Sequence, residues 1–421
     1  MNTTNITNGI GKSQERREDF RFLTGAGSYI DDMNLDGQAY ATVLRSPEAH
    51  ADISSIDITE ALALDGVLAI ITGEDWKAAG YNPIPTKSAV RKAIDGSDLK
   101  EPPHHPLAID RVRYVGQPVA LVVAESIDVC QDAMELIDVD YDSLPSVSHQ
   151  SEAIKDGAPQ IWDIAPNNIC LDFELGDQEA QKKAFSEADH IVTLNLVNNR
   201  VTAVPIEPRG ALASYDAGTG KYTLWNASQN IHAGRDTIAD AVLGIGKENL
   251  HHIAPDVGGG FGVKNGVYPE PILILHATKL LKRPVKWVND RSESFLSDTH
   301  GRDQVSTVQL ALDKDGTFRG LRTETVGNLG AFCATVGPFT PTGGSSRTQG
   351  GPYRFDAIYY TAIAPFTNTC PLDPYRGAGR PEGSYQMDRI IDYAAAQLGM
   401  DPIELRRKNL IPIEDLPMKS P

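Results

Sequence analysis

Residues 256–266 read Asp256-Val257-Gly258-Gly259-Gly260-Phe261-Gly262-Val263-Lys264-Asn265-Gly266. Four glycines in the five residues 258–262 leave a backbone almost without Cβ atoms, able to take positive φ and to approach a ligand closely. Exposed amides in such a loop can donate to oxo, phosphate or carboxylate groups. Two nucleotide readings fail on spacing. A dinucleotide GxGxxG loop needs glycine at its sixth position, but counting from Gly258 reaches Val263 and from Gly260 reaches Asn265. A phosphate-binding P-loop needs Ser or Thr after its lysine, and Lys264 is followed by Asn265. A tight strand-to-helix turn is the plain alternative. Its flanks fit: Leu250–Ala254 has strand character, and Pro271–Leu281 reads as a helix opened by a first-turn proline and closed before Pro284.

Three other segments carry chemistry. Pro205-Ile206-Glu207-Pro208-Arg209-Gly210 sets a carboxylate and an arginine in a rigid turn, which by itself reads as a structural ion pair rather than a catalytic base. Ser228-Gln229-Asn230 ends the strand Lys221–Ala227. There a neutral amide could donate to a bound oxo group, or simply finish a polar strand end. Pro374-Tyr375-Arg376-Gly377-Ala378-Gly379-Arg380-Pro381-Glu382 brings guanidinium donors and bare backbone to one loop, suited to an anion or to solvent.

The rest of the chain supplies a mixed scaffold. From Phe20 onward, 40–46 (YATVLRS), 51–58 (ADISSIDI) and 66–72 (GVLAIIT) are short β-rich runs, with helical pieces at Thr59–Leu64 and Gly73–Ala79. Asn82–Pro106, rich in Pro, Lys, Asp and His, reads as an exposed insertion loop. A strand (Tyr114–Val123), an amphipathic helix (Ile127–Leu136) and an edge-type strand (137–142, IDVDYD) follow, making an α+β unit that ends near residue 147. Residues 148–170 form a polar connecting segment. Beyond it, helices are expected at Ala180–Ala188, Ala233–Leu243 and Asp388–Leu398. Strands are expected at His190–Asn195, Val285–Val288, Val305–Leu312 and Phe318–Val326. Residues 1–15 are polar and expected to be flexible, and the chain ends in a Pro-rich tail over 414–421.

Bulk properties bound the partners. At 421 residues the chain suggests two or three domains. Its 56 acidic against 39 basic residues give a net charge of −17, which repels phosphate backbones and argues against nucleic acid. No apolar run approaches the roughly 18 residues needed to span a bilayer, and the start lacks the apolar core of a secretory signal, so the cytoplasm is expected. Cys130, Cys170, Cys333 and Cys370 form no CxxC pair and read as buried reduced thiols.

Taken in order, PIEPRG, ASQN, DVGGGFGVK and PYRGAGRPE resemble the molybdenum-binding subunits of the xanthine dehydrogenase, aldehyde oxidase and carbon monoxide dehydrogenase superfamily. Residues 16–32 (RREDFRFLTGAGSYIDD), 44–53, 61–76 and 113–126 (RYVGQPVALVVAES) resemble the α/β hammerhead domain that precedes the cofactor domain. Residues 398–411 (LGMDPIELRRKNLI) resemble the end of its first half. The resemblance runs from Arg16 to Ile413. It implies an α+β fold with a hammerhead over 16–147 and the first part of a molybdopterin-binding domain over 171–413. It also implies that Gln229 bonds to an oxo ligand of molybdenum, and that Gly259, Gly260, Phe261 and Gly262 line the metal and pterin. Arg376, Gly377 and Ala378 would lie beside the metal, which is held by the pterin dithiolene and not by side chains.

The implied activity is hydroxylation with water as the oxygen source. Electrons would leave through a 2Fe-2S small subunit to an FAD-binding medium subunit. The cofactor would be molybdenum–molybdopterin, in its plain or its cytosine dinucleotide form. The family's glutamate base matches no residue here and is expected beyond residue 421. Glu207 is therefore not assigned that part, and the chain is expected to be either a truncated product or one half of a split large subunit whose missing half of the site a second chain supplies. Two positions depart from the family's patterns. Gly377 stands where copper-containing carbon monoxide dehydrogenases carry a cysteine, which disfavours carbon monoxide and favours an aldehyde or aromatic N-heterocycle as the small-molecule substrate. Asn265 replaces a glutamate common in heterocycle hydroxylases, which weakens a purine assignment. A non-catalytic scaffold is the reading from another class.

Overall fold

The computed structural model describes Gly11 and residues 13–418. The expected flexible start at 1–10 and 12, and the end of the tail at 419–421, lie outside the described residues. In chain order the strands are β1 (Ala39–Arg45), β2 (Ala51–Asp57), β3 (Val67–Thr72), β4 (Arg111–Val112) and β5 (Pro118–Ala124). Then come β6 (Asp138–Ser143), β7 (Ile169–Gly176), β8 (His190–Asn198), β9 (Gly210–Asp216) and β10 (Lys221–Asn226). The last are β11 (Leu250–Ile253), β12 (Val285–Val288), β13 (Gln304–Leu312), β14 (Phe318–Gly327) and β15 (Ala357–Pro365). They make three sheets, of order β11-β10-β9-β12-β1-β5-β3, β7-β15-β14-β13-β8 and β4-β2-β6.

The first sheet crosses the break expected between residues 147 and 171. Its bridge is β1, which runs parallel to β12, with Ala39 opposite Val285 and Ala41 opposite Trp287, and antiparallel to β5. The reason lies in the side chains. β5 reads PVALVVA and is buried along its whole length, so it needs cover on both faces and neighbours on both edges. The helix Pro269–Leu281 supplies much of that cover, with Ile272, Leu273, Ile274 and Leu275 wholly buried in the same core as Leu121, Val123 and Trp287. Prolines 269 and 271 both sit in its first turn, where a missing N–H costs no helical bond, and Lys282 ends it in the left-handed region at φ 55°. A second core forms between the five-stranded sheet and the helix Arg380–Leu398, where Met387, Ile390 and Ile391 meet Leu310 and Leu321.

Several expectations need correction. Residues 82–106 are irregular but are not an exposed loop: Ile84 and Leu99 are buried, and the Thr86 hydroxyl donates to the carbonyl of Ala334. The scattered apolar residues of that polar stretch anchor it as a strap across the second half of the chain. The helix expected at Ala233–Leu243 runs as α-helix over Ile231–Asp236 and continues as a π-helix over Thr237–Val242. The long C-terminal helix starts at Arg380 rather than Asp388, and a further helix, Pro402–Asn409, follows with Asp401 as its N-cap. All four cysteines are free and buried, although the fold brings the sulfurs of Cys170 and Cys333 to 3.5 Å. Among the described residues no helix is long and apolar enough to cross a membrane.

A buried charge network ties β1 to the second half of the chain. Arg45 donates to Glu270 (2.7 Å) and Glu293 (2.5 Å). Arg209 donates to Glu270 (2.7 Å) and Asp298 (2.6 Å) while stacking on Tyr268 at 3.8 Å. Burial alone would raise the Glu270 carboxyl, but Arg209 and Arg45 outweigh it and hold the group down at about 2.

Candidate functional site

The glycine-rich segment lies between β11 and the helix Pro269–Leu281, clasped from behind by two carboxylates. Asp256 accepts from Arg21 (2.7 Å) and from the backbone N–H of Ser28 (2.8 Å). Glu207 accepts from the N–H of Gly258 and from Lys264 Nζ, both at 2.7 Å. Glu207 is thus a structural anchor, as its turn suggested, but its partner is Lys264 and not Arg209, which turns into the buried network. Lys264 is wholly committed to this inward pair, its side chain sealed from solvent.

In front of that clasp the loop is open. Gly259, Phe261 and Gly262 have φ of 95°, 52° and 105°. A side chain at Gly260 would meet the Gln229 amide at 2.5 Å. Gln229 is fixed at both ends of its chemistry: its N–H donates to the Lys264 carbonyl, and its Oε1 accepts from the N–H of Gly262, each at 2.9 Å. The Gln229 Nε2 makes no bond among the described residues and faces outward from an exposed side chain. Asn230, next in sequence, caps the following helix, so Gln229 is held between a strand end and a helix start.

The arginine loop joins this cluster directly. The N–H of Arg376 donates to the carbonyl of Phe261 at 2.8 Å, and a Cβ at Gly262 would overlap the Pro374 carbonyl oxygen. Gly377, Ala378 and Gly379 then turn through φ of 100°, 45° and 89° into the helix Arg380–Leu398. The structure therefore gathers Gln229, Gly259, Gly260, Phe261, Gly262, Arg376, Gly377 and Ala378 in one place. Sequence reasoning missed the residue that braces them. Arg302 donates to the carbonyls of Tyr375 (3.0 Å) and Arg376 (2.9 Å) and pairs with buried Glu382 (3.2 Å). Its setting, His300-Gly301-Arg302-Asp303, carries no motif; its own φ of 65° is a conformational signal, visible only in three dimensions.

Asp373 lies just before this loop, 2% exposed, accepting from the N–H of Val336 at 2.8 Å. Burial pushes its carboxyl up to about 7, against the pull of the Val336 and Thr335 N–H groups. An Asp with a raised folded value keeps its proton in the folded chain while the unfolded chain loses it from about pH 4 upward. Wild-type stability therefore falls between about pH 4 and 7 on account of this group. Asp373→Asn keeps an acceptor for Val336 and removes that slope. Urea unfolding at several pH values is expected to show the variant gaining on the wild type as pH rises across that window.

The model of the molybdopterin cofactor-binding domain matches residues 161–410, more than half of the chain. The chain belongs to the molybdopterin cofactor-binding family. Residues 24–145 match the α/β hammerhead domain of aldehyde oxidase and xanthine dehydrogenase, so this family member joins a hammerhead to a molybdopterin-binding domain, an α+β architecture. It is a molybdenum-cofactor-binding large-subunit chain of the xanthine dehydrogenase, aldehyde oxidase and carbon monoxide dehydrogenase superfamily. The large subunit of nicotine 6-hydroxylase from Paenarthrobacter nicotinovorans is 35% identical, over 96% of this chain and 48% of that protein. The large chain of carbon monoxide dehydrogenase from Afipia carboxidovorans is 33% identical, over 98% and 51%. The crystal structure of quinoline 2-oxidoreductase from Pseudomonas putida 86 superposes with a TM-score of 0.89 at 35% identity, covering 97% of this chain and 51% of that one. The chain thus spans about half the length of these relatives.

The donor set of this molybdopterin-family site suits an oxo- and phosphate-bearing cofactor. Among the described residues the N–H groups of Gly259, Gly260, Phe261 and Gly377 have no acceptor within the chain, the Gln229 Nε2 has none, and the Arg376 guanidinium has no carboxylate partner. Donors without acceptors, on bare backbone, fit an anionic group seated across both loops.

Proposed function

We propose that this chain contributes the first half of the cofactor site of a molybdenum hydroxylase. Its substrate would be an aromatic N-heterocycle or an aldehyde, and its electrons would pass to 2Fe-2S and FAD carried by partner subunits. The observation that carries the reading is the hydrogen bond from Arg376 to Phe261, which makes one continuous rim of the two loops, with the Gln229 amide bonded to the same glycine turn. The bound molybdenum–molybdopterin, in its plain or cytosine dinucleotide form, would supply water activation and electron acceptance. The chain's own share is positioning. Gln229 Nε2 would donate to an oxo ligand, the free amides of Gly259–Phe261 and Gly377 would hold cofactor oxygens, and Arg376 would balance their charge. Phe261, 43% exposed, would present its ring to an arriving flat substrate and exclude water from one side.

No cysteine stands at Gly377, so a copper ion bound there would have no thiolate, and a carbon monoxide oxidase is the weaker reading. The names of the nicotine 6-hydroxylase and quinoline 2-oxidoreductase relatives also favour a heterocycle. The test is to isolate the chain with its native partners, measure molybdenum, and assay a panel of quinolines, pyridines and aldehydes in ¹⁸O-labelled water. Label from water in the hydroxylated product, with molybdenum present, is the expected result; turnover without molybdenum, or oxygen drawn from O₂, would reject the proposal. In the same assay Gln229→Leu is expected to lower kcat by roughly a hundredfold, the size of effect seen when one preorganised donor is lost.

A further inference from the structure

The fold brings together two cysteines that lie 163 residues apart in the chain. Cys170 stands at the start of β7, and Cys333 in the segment that follows β14. They are 2% and 4% exposed and share one apolar cluster with Leu99, Leu171, Leu329 and Phe366. Their sulfurs are 3.5 Å apart, in van der Waals contact. Both thiols also point at the carbonyl of Lys100, at 3.2 Å and 3.8 Å. Among the described residues the other two cysteines meet no sulfur: Cys130 donates to the carbonyl of Tyr40 and Cys370 to that of Asp298.

Three separate stretches of chain meet at this pair. The 82–106 strap contributes Lys100, whose N–H donates to the Cys170 carbonyl at 3.0 Å. The segment carrying Cys333 runs on to Thr335, whose Oγ1 accepts from the N–H of Val267 at 3.1 Å, and to Val336, which donates to Asp373 at 2.8 Å. Val267 follows the glycine loop and Asp373 precedes the arginine loop, so this segment backs both. The hydrogen bond with Cys170, together with burial, holds the Cys333 thiol well above its ordinary value. A protonated thiol is a poor nucleophile, which makes the pair slow to react. A hollow of about 20 Å³, room for one small molecule, is lined in part by Cys333. Only an oxidant little larger than water fits such a space.

We infer that Cys170 and Cys333 are a redox pair that closes to a disulfide, within the native fold, under hydrogen peroxide. One sulfur, as its thiolate, attacks the peroxide and becomes a sulfenic acid with release of one water. The second sulfur then attacks the sulfenic sulfur; the S–S bond forms and a second water leaves. The two thiols lose two electrons and the peroxide gains them. The cross-link ties β7 covalently to the segment behind both loops. It stands independently of the cofactor reading.

The test treats the purified, folded full-length chain with hydrogen peroxide, then unfolds it, alkylates the free thiols and maps the peptides without reduction. The expected product is a peptide pair joined through Cys170 and Cys333, lighter by two hydrogens. Free thiols are expected to fall from four per chain to the two of Cys130 and Cys370, and dithiothreitol to restore all four. The urea midpoint is expected to rise on oxidation, because the link closes a loop of 163 residues in the unfolded chain. Cys333→Ser is expected to abolish both the linked peptide and the rise. Cys170→Ala, which adds no polar group to the apolar cluster, is the second variant and is expected to do the same. No linked peptide from the folded chain, linkage that needs urea, pairing through Cys130 or Cys370, or a midpoint that fails to rise would overturn the assignment.

Discussion

Gly262→Val is expected to cost the native complex at least about nine-tenths of its molybdenum, a loss on the order of tenfold or more in affinity, readable by metal analysis of the purified protein. Three local facts combine at this position. The residue has φ of 105°, where side chains other than glycine are strained by about 1–2 kcal/mol. Any Cβ overlaps the Pro374 carbonyl, so the glycine loop and the arginine loop must separate. Separation breaks the Arg376-to-Phe261 bond and withdraws the Gly262 N–H from Gln229. Gly220→Ala is the matched control: φ is 72°, yet nothing lies within 4 Å of the added carbon. That variant is expected to lose about 1 kcal/mol of stability and no metal. Equal molybdenum in both variants would show that the two loops do not hold the cofactor together.

Glu270→Ala is expected to destabilise the fold by about 3–5 kcal/mol, enough to be seen in urea unfolding or as poor recovery of folded protein. Glu270 is 1% exposed and is shared by Arg45 and Arg209, whose side chains are 7% and 4% exposed. Removing it takes the shared counterion from two largely buried guanidiniums and leaves Arg45 with Glu293 and Arg209 with Asp298 alone. The network also predicts a pH dependence. The Glu270 carboxyl is held at about 2 in the folded chain, below its ordinary value of about 4.3. Its contribution is therefore complete above about pH 4.3 and lost as pH falls toward 2. Acid unfolding of the wild type should steepen in that interval, and Glu270→Gln should flatten it.

What the sequence shows depends on whether a feature is local. β5 is legible because seven apolar residues in a row can only be buried, and Pro269–Leu281 because prolines stand in its first turn and just beyond its end, at Pro284. The candidate site was legible as a set, since four motifs in order point to one family, although each alone has an ordinary structural reading. Its support was not. Arg302 holds the Arg376 loop through two backbone carbonyls, and a bond to a carbonyl leaves no trace in the partner's identity. Glu207 was legible as an ion-pair residue but not its partner, because Lys264 lies in a different motif and only the fold decides which cation faces it. The 82–106 strap misled for a similar reason: its polar composition outweighs the few apolar side chains, Ile84 and Leu99 among them, that fasten it down.

The parallel pairing of β1 with β12 has a consequence for biosynthesis. The outer edge of β1 carries unpaired backbone groups from the moment residues 39–45 leave the ribosome, and its neighbour on that side does not exist until residue 288 has been made. The hammerhead end of the chain must wait, part-sheeted and sticky, until that strand is made. Holdase chaperones and translation speed should therefore govern the yield of this protein more than its final stability does.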